Sequence, residues 1–423
     1  MPVFHRKLQP VLERMLSAFR VVYLAGARQA GKTTLARSMA DNLGMDYISL
    51  DDQALLAAVR SDPYGFIQSM GSRKIVLDEF QYVPELIPVI KKVSDLLAPD
   101  EKGKFLLTGS ADIFRSARVQ EALPGHMARF VLYPLSASEL SVYHSGYEKP
   151  NLVDYLCAGE FPATKSSFVS RQELAVKILS GGYPEVQSLG QREKQVWFKS
   201  YLAGRLYKDF ETLHAARGDY QSKLQALLPY LAGLSGNLLK YSNVGRDLEL
   251  KDGLVKTYTE MLELMFLLQR VPAYRKNRAR INASQMPKLH FIDTGLAGFL
   301  LGYRDPEQLV ASQHYGALLE SLIYMELCKQ AGWSQEDVVL YHFRDKRHSE
   351  VDIVLEKSNL NIIGIEIKAS ATVSIRDFKG LSLLAEATGK KFENGVLLYT
   401  GEDTLSFRYG RRQFHALPVG LFI

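Results

Sequence analysis

The segment 26–33 reads Gly-Ala-Arg-Gln-Ala-Gly-Lys-Thr, and the types and spacing of these residues suit the binding of phosphate. In this G-x-x-x-x-G-K-T pattern the glycines let the backbone wrap closely around phosphate groups. A strand candidate at 21–25 precedes the segment and a helical pattern at 34–42 follows it, as such a loop requires. The loop amides and the helix N-terminus would point at the anion, Lys32 would reach the β- and γ-phosphates, and Thr33 would hold Mg²⁺. The residues expected to bind the nucleotide are Gly26, Ala27, Arg28, Gln29, Ala30, Gly31, Lys32, Thr33 and Thr34.

Two acids end the next apolar run, at 75–77. Asp78 is expected to bind Mg²⁺ through water, and Glu79 to polarise the attacking water as a general base. Alone, the pattern fits a solvated acidic turn equally well, but its position after a phosphate loop favours the catalytic interpretation. A further run at 105–108 ends in hydroxyls, and in a parallel sheet its carboxyl end lies beside the loop. Either Thr108 or Ser110 would then sense the γ-phosphate.

Arginines near the next strand, predicted at 130–133, are candidates for a finger that stabilises transition-state charge in a neighbouring subunit. Arg129 directly precedes that strand, and Arg115 and Arg118 compete with it. A surface position without a catalytic role is the alternative for each of the three.

The C-terminal part carries a second set of charged residues. Glu350 and Asp352 lie two apart on a strand predicted at 350–355, and Glu366 and Lys368 lie two apart on a strand predicted at 362–368. Such spacing places Asp352 on one face of its strand and Glu366 with Lys368 on one face of the next. A hairpin would bring these faces together, and Glu320 on the preceding helix would point inward. Carboxylates held close together need a cation, and Mg²⁺ or Mn²⁺ bound by Glu320, Asp352 and Glu366 would polarise a phosphodiester. Lys368 would orient or deprotonate the attacking water. The alternatives are a salt-bridged hairpin and a nuclease fold without activity.

The elements that must position these residues change character along the chain. From 20 to 140 short apolar runs alternate with helical patterns, which predicts a parallel sheet. From 150 to 215 the pattern is helical, and from 216 to 305 short helices precede a basic, turn-rich stretch. From 306 onward a helix precedes alternating strands, the last of them predicted at 396–399.

The middle stretch contains an amphipathic helix, predicted at 250–269, and a basic run at 274–280 with Lys288 beyond it. A helix followed by a basic β-turn resembles a winged helix, which places cations against a phosphate backbone. A solvated charge run is the alternative.

Composition sets broad limits on function. The chain has 423 residues, with 52 basic and 46 acidic side chains and a net charge of +6, which is compatible with a polyanionic partner. Cys157 and Cys328 lie far apart without metal-ligand spacing, so neither a disulfide framework nor structural zinc is expected and the chain reads as cytoplasmic. We expect no membrane span, and a short amphipathic helix within 1–20 rather than a signal peptide.

Together these motifs resemble the AAA-type ATPases of bacteria and archaea that carry a C-terminal restriction-endonuclease-like domain. The resemblance includes the stretches at 133–139, 181–185 and 287–295 and covers nearly the whole chain. It implies an α/β fold with ATP as the nucleotide, and often assembly as a ring such as a hexamer. The domains it implies are an ATPase core with an N-terminal helix at 1–145, a helical lid at 146–215, a winged-helix-like segment at 216–305 and a nuclease-like domain at 306–423. One position departs from the family pattern, because Ala128, rather than the usual glycine, precedes Arg129.

Three hypotheses for function follow. The first is an ATPase that acts on DNA, branched or junction DNA in particular, and also cuts it with a metal-dependent nuclease domain. The second is an ATP-driven motor that remodels DNA junctions or forks without cutting. The third is a nucleotide-gated scaffold or regulator for a protein partner.

Overall fold

The computed structural model describes the residues 4–111, 125, 127–165, 169–207 without the side chain of Arg205, 210–211, 219–275, 286–345 and 349–423. The chain divides into two compact units. The first comprises mainly Val3–Leu135 with Leu262–Leu267, and the second Ser136–Met261 with Leu268–Ile423. This division does not follow the four predicted segments, whose boundaries stay predictions.

The first unit is built on a parallel sheet, which contains five strands among the described residues, in the order β2–β3–β4–β1–β5. The strands are β1 Val21–Gly26, β2 Asp46–Ser49, β3 Ile75–Asp78, β4 Phe105–Gly109 and β5 Met127–Leu132. The helices around it are α1 Gln9–Ala18, α2 Lys32–Leu43, α3 Gln53–Ser61, α4 Pro63–Ser69 and α5 Leu86–Leu96. The parallel sheet predicted from the alternating pattern is thus confirmed.

The central strands of this sheet are mostly apolar, because helices cover both faces of a parallel sheet. Every residue of β1, β3 and β4 is buried, whereas β5 at the edge is half-buried along most of its length. The weaker apolar signal of β5 explains why its predicted start, at residue 130, is wrong. In the register between β1 and β4, Ala25 lies beside Gly109, so the carboxyl ends of these strands are neighbours.

From Ser136 onward the described chain is largely helical before its final sheet. Its α-helices are α6 Ala137–Ser145, α7 Leu152–Ala158, α8 Arg171–Ser180, α9 Gln191–Tyr201, α10 Tyr220–Gly233, α11 Tyr241–Asp247, α12 Asp252–Leu264, α13 Thr294–Leu300, α14 Pro306–Val310, α15 Tyr315–Ala331 and α16 Lys379–Thr388. The helix predicted at 250–269 is wrong at its C-terminal end. Phe266 has a φ of 56°, which a right-handed helix cannot continue through, and a strand begins at Leu268.

The second unit has two sheets in the part of the chain described. A three-stranded antiparallel sheet has the order β6–β8–β7, and a six-stranded mixed sheet has the order β13–β14–β12–β11–β10–β9. The strands are β6 Asn237–Leu238, β7 Leu268–Val271, β8 Lys288–Phe291, β9 Val338–Arg344, β10 Glu350–Lys357, β11 Ile362–Lys368, β12 Phe392–Tyr399, β13 Leu405–Tyr409 and β14 Arg412–Pro418. β10 and β11 form the predicted hairpin, with Ile353 opposite Ile365.

Helix α15 lies inside the second unit and places an acid there. Nearly all of its side chains are buried, including Leu318, Leu319, Leu322 and Ile323. Because this helix is buried on most of its surface, Glu320 on α15 is held away from water. Among the described residues, we find no helix with the length and apolar character that crossing a membrane requires.

Candidate functional site

The turn from β1 into α2 forms the phosphate loop. Gly26 ends β1 with a φ of 154°, and a Cβ there would lie 2.2 Å from the carbonyl oxygen of Leu132. Only glycine therefore fits at this close approach of β1 and β5. Gly31, with a φ of 95°, precedes α2 and has no side chain to cap it, so the first amides of the helix remain available to an anion.

Lys32 is buried at the centre of this loop. Its Nζ donates to the carbonyl oxygens of Gly26 at 2.9 Å and Ala27 at 2.8 Å, which holds the ammonium where phosphate oxygens would enter. Arg6 stabilises the far side of the loop, because its guanidinium donates to the carbonyl oxygen of Ala30 at 2.6 Å and to that of Tyr133 at 2.7 Å.

The remaining loop residues differ in exposure. Arg28 donates to the hydroxyl of Tyr82 at 2.7 Å. Gln29 is exposed and has a φ of 61°, a left-handed conformation that tightens the tip of the loop. Thr34, on the first turn of α2, is exposed.

Three hydroxyls converge on Asp78 at the end of β3. Thr33 Oγ1 donates to Asp78 Oδ2 at 2.8 Å, the Tyr47 hydroxyl donates to the same oxygen at 2.5 Å, and Thr108 donates to Oδ1. Burial, and next the hydrogen bond to Asp78, raises the pKa of Tyr47 to about 12, so its hydroxyl keeps its proton. A hydroxyl and a carboxylate oxygen side by side are ligands that suit Mg²⁺, so Thr33 and Asp78 fit the predicted ion.

Glu79 follows in a left-handed conformation, with a φ of 57°, and its carboxylate meets the end of β4. Glu79 Oε2 accepts a hydrogen bond from the Gln81 amide and another from Ser110 Oγ at 3.3 Å. The Gln81 amide also donates to Ser110 Oγ at 2.9 Å and accepts from the Ser110 backbone amide at 3.1 Å. Gln81 thus joins the candidate base to the candidate γ-phosphate sensor.

The second unit brings together acids that the sequence pattern placed in one site, but their lysine partner is Lys288 and not Lys368. Lys288 Nζ, from β8, lies 2.7 Å from Glu320 Oε1 and 3.2 Å from Asp352 Oδ1. Asp352 Oδ2 accepts the backbone amide of Ile367 at 2.9 Å. Asp352 and Glu366 lie one residue beyond the Ile353–Ile365 pair, and their carboxyl groups share a hydrogen bond. We call Glu320, Asp352 and Glu366 the acid cluster.

Burial dominates the electrostatics of the acid cluster. It raises the pKa of Glu320 and of Glu366 well above the usual value for glutamate, and the charge of Asp352 adds to both shifts. Burial alone would lower the pKa of Lys288, but Glu320 and Asp352 outweigh it and raise that pKa. Lys288 therefore stays protonated beside the carboxyl groups.

Lys368 does not join the acid cluster, so that part of the prediction is wrong. Its Nζ lies 2.8 Å from Asp377 Oδ1, and its side chain is 42% exposed. Within the described residues, no group of three or more His, Cys, Asp or Glu side chains is arranged to hold a metal ion.

Three family models match separate parts of the chain. Residues 18–141 match an AAA domain, residues 171–307 a domain of unknown function (DUF8612), and residues 315–422 another domain of unknown function (DUF4143). The first match contains the phosphate loop together with Asp78 and Glu79. Residues 18–141 therefore carry an AAA-type domain, and ATP binding and hydrolysis are the activities that the match supports.

Two mycobacterial proteins are similar to this chain over most of its length. The uncharacterized protein Rv2008c of Mycobacterium tuberculosis and the uncharacterized protein Mb2031c of Mycobacterium bovis are each 25% identical over 365 residues, which are 86% of this chain and 74% of the relative.

Two solved structures are similar to this chain at a greater distance. The Walker-type ATPase PABY2304 of Pyrococcus abyssi is 16% identical with a TM-score of 0.44, covering 70% of this chain and 96% of that one. AMPPCP-bound DnaA from Aquifex aeolicus is 15% identical with a TM-score of 0.28, covering 60% of this chain and 85% of that one. Similarities with TM-scores this low do not identify the function of this protein.

Arg129 lies within β5 and not before it, opposite Tyr23, and it is exposed. Its role as a finger stays a prediction, because a finger acts on the nucleotide of a neighbouring subunit. The competing candidates Arg115 and Arg118 lie outside the described residues.

The sequence interpretation missed Gln81, Tyr47 and the role of Lys288. Gln81 stands two residues after Glu79, but this spacing alone does not show that its amide reaches Ser110. Tyr47 lies on β2, beside β3, and only the order of the strands reveals that it meets Asp78.

Replacing Gln81 with leucine is expected to lower the turnover of ATP roughly tenfold, because Glu79 loses a hydrogen bond worth about 1 kcal/mol and its fixed orientation. ATP affinity should change little, since Gln81 does not touch the loop amides. Phosphate release measured at rising ATP concentration separates the two effects. Gln81→Glu is the matched variant, because it keeps the length of the side chain but places a second carboxylate beside Glu79, which should also lower turnover. An unchanged turnover in both variants would contradict the role of Gln81.

Proposed function

We propose that this chain hydrolyses ATP at the phosphate loop of its first unit and uses that reaction to act on DNA without cutting it. The observation that supports the ATPase half is the meeting of Lys32, the Thr33–Asp78 pair and the Glu79–Ser110 pair at the carboxyl ends of β1, β3 and β4. These are the parts that phosphoryl transfer needs: a cation for phosphate charge, ligands for Mg²⁺ and a base for water.

Each residue has a separate task in this proposal. Lys32 would give up its two carbonyl contacts and donate to phosphate oxygens, and the amides at the start of α2 would add further donors. Thr33 and Asp78 would hold Mg²⁺, which supplies charge stabilisation at the phosphates. Glu79 would accept a proton from the attacking water, and Ser110 would respond to the γ-phosphate through its bond to Glu79.

Charge supports DNA as the substrate class. The chain carries a net charge of +6, and the sequence has a basic run at 274–280, of which 276–280 lie outside the described residues. Cations in such a segment would neutralise backbone phosphates without reading the bases. Branched or junction DNA and a ring-shaped homo-oligomer are part of this proposal, and they rest on the family resemblance.

The acid cluster supports the choice of a motor over a nuclease. Its carboxyl groups already share the buried ammonium of Lys288, and Lys368, the lysine expected to assist cleavage, is bonded to Asp377. We therefore place the second hypothesis, remodelling without cutting, before the first.

Labelled branched and linear duplexes, incubated with Mg²⁺ or Mn²⁺ with and without ATP, test this proposal. We expect rearranged strands of unchanged length that require ATP, that disappear with Lys32→Ala and that persist with Asp352→Ala. We also expect binding to weaken steeply as salt rises, because bound phosphates release counterions. Shorter fragments that vanish with Asp352→Ala would replace the motor with a nuclease. Absence of binding to any duplex would favour the nucleotide-gated protein scaffold.

A further inference from the structure

We propose that Lys288 occupies the place of a divalent cation in the acid cluster, so that this site of the second unit binds no metal. The inference goes beyond the proposed ATPase and does not depend on it. Its basis is the position, burial and partners of one lysine.

The first argument is the position of the ammonium. Lys288 Nζ lies 2.7 Å from Glu320 Oε1 and 3.2 Å from Asp352 Oδ1, which places it between the two carboxylates. A metal shared by the same carboxylates would need oxygens at about 2.0–2.1 Å for Mg²⁺. It would therefore stand where the ammonium stands, and one cation excludes the other by contact and by charge repulsion.

The second argument is that Lys288 cannot easily move aside. Its side chain is only 4% exposed, and it comes from β8, a strand of the three-stranded sheet. A lysine on the surface could swing into water and admit a metal, but this one would need a new partner inside the protein.

The third argument concerns what the lysine joins. Glu320 comes from helix α15, and Asp352 and Glu366 come from β10 and β11 of the six-stranded sheet. Lys288 therefore connects the small sheet to the helix and to the large sheet. A buried ion pair that fixes the relative placement of elements is a structural role, and it requires a cation that is always present.

His290, two residues after Lys288 on β8, does not supply a further metal ligand. Its Nε2 lies 3.8 Å from Glu320 Oε1, and its Nδ1 lies 3.0 Å from Ser321 Oγ. The ring also stacks on Tyr324, with 4.3 Å between ring centroids. Both nitrogens thus face groups of the protein that are buried with it.

A Mn²⁺ titration of the full chain without nucleotide, in which electron paramagnetic resonance measures free Mn²⁺, tests the inference. For the wild-type chain we expect the same number of bound ions as for Asp352→Asn and for Glu366→Gln. For Lys288→Ala we expect one additional ion per chain, which is lost again when Asp352→Asn is added. Lys368→Ala is the matched control and should gain no ion, because Lys368 is bonded to Asp377 outside the cluster.

Two results would overturn the inference. The first is a wild-type chain that binds one Mn²⁺ more than both Asp352→Asn and Glu366→Gln, since the cluster would then hold metal beside Lys288. The second is a folded Lys288→Ala chain that gains no ion. If Lys288→Ala does not fold, the comparison of the wild type with the two carboxyl variants still decides the question. None of these readings requires ATPase activity, so a failure here is distinct from a failure of the proposed function.

Discussion

A chain with Lys32→Ala is expected to lose ATP hydrolysis by roughly 10²–10³-fold, the effect of removing one preorganised charge partner of a reacting phosphate. Lys32 is buried in the loop, with its ammonium held by the carbonyl oxygens of Gly26 and Ala27. No neighbouring cation of the described loop can take its place, because Arg28 extends to Tyr82 and Arg6 is bonded to Ala30. Binding of a fluorescent ATP analogue and phosphate release, measured on the same preparation, should both fall.

The first unit offers a matched control for this substitution in Lys104. It is also a buried lysine whose Nζ donates to two backbone carbonyls, those of Gly71 at 2.5 Å and Arg73 at 2.6 Å. Lys104 directly precedes β4, at the amino end of the strand. The phosphate loop lies near the opposite, carboxyl end, where Ala25 is beside Gly109. Lys104→Ala should therefore lower stability and leave the turnover of the folded protein intact. Equal losses of turnover in the two variants would contradict a phosphate-binding role for Lys32.

Glu79→Gln separates hydrolysis from binding in the same site. The amide keeps the size of the side chain but cannot accept a proton from water, so turnover should fall about 10²–10⁴-fold while ATP still binds. Retained turnover would show that Glu79 is not the base.

The phosphate site could be predicted because its information is local in the sequence. The loop spacing, the strand before it and the helix after it fix Lys32 and Thr33 within one turn of chain, and buried apolar runs indicate the parallel sheet. Gln81 could not be predicted in its role, because its amide reaches Ser110 only through the left-handed turn at Glu79. No propensity rule anticipates that turn in a glutamate.

The acid cluster shows the opposite case, in which residue types are predictable and partners are not. Period-two spacing correctly placed Asp352 and Glu366 on facing strands of a hairpin. The same spacing assigned Lys368 to the cluster, but Lys368 ends its strand and pairs with Asp377, which lies in the 3-10 helix Ile375–Phe378. The lysine that does reach the acids comes from another sheet, and no sequence spacing links Lys288 to residues so far along the chain.

Lys288→Met is expected to lower the free energy of unfolding of the second unit by about 3–5 kcal/mol, because it leaves buried carboxylates without their cation. Lys368→Met removes a lysine from the same unit with the same change of side chain. The Lys368 side chain, which pairs with Asp377, is 42% exposed, so the free energy of unfolding should fall by only about 0–1 kcal/mol. Urea unfolding followed by tryptophan fluorescence measures both, since Trp197 and Trp333, the only two tryptophans, belong to the second unit.

The loss of unfolding free energy in Lys288→Met should also depend on pH, because the ionisation of the buried glutamates depends on pH. Burial already raises the pKa of Glu320 and Glu366, and removal of Lys288 takes away a charge that favours their ionised forms. A carboxyl group with a raised pKa in the folded state costs stability as pH rises from its unfolded pKa through its folded pKa. The difference between Lys288→Met and the wild type should therefore be smaller at pH 5 than at pH 8. A difference that stays constant over this range, or that equals the effect of Lys368→Met, would mean that the cluster is not a buried site neutralised by Lys288.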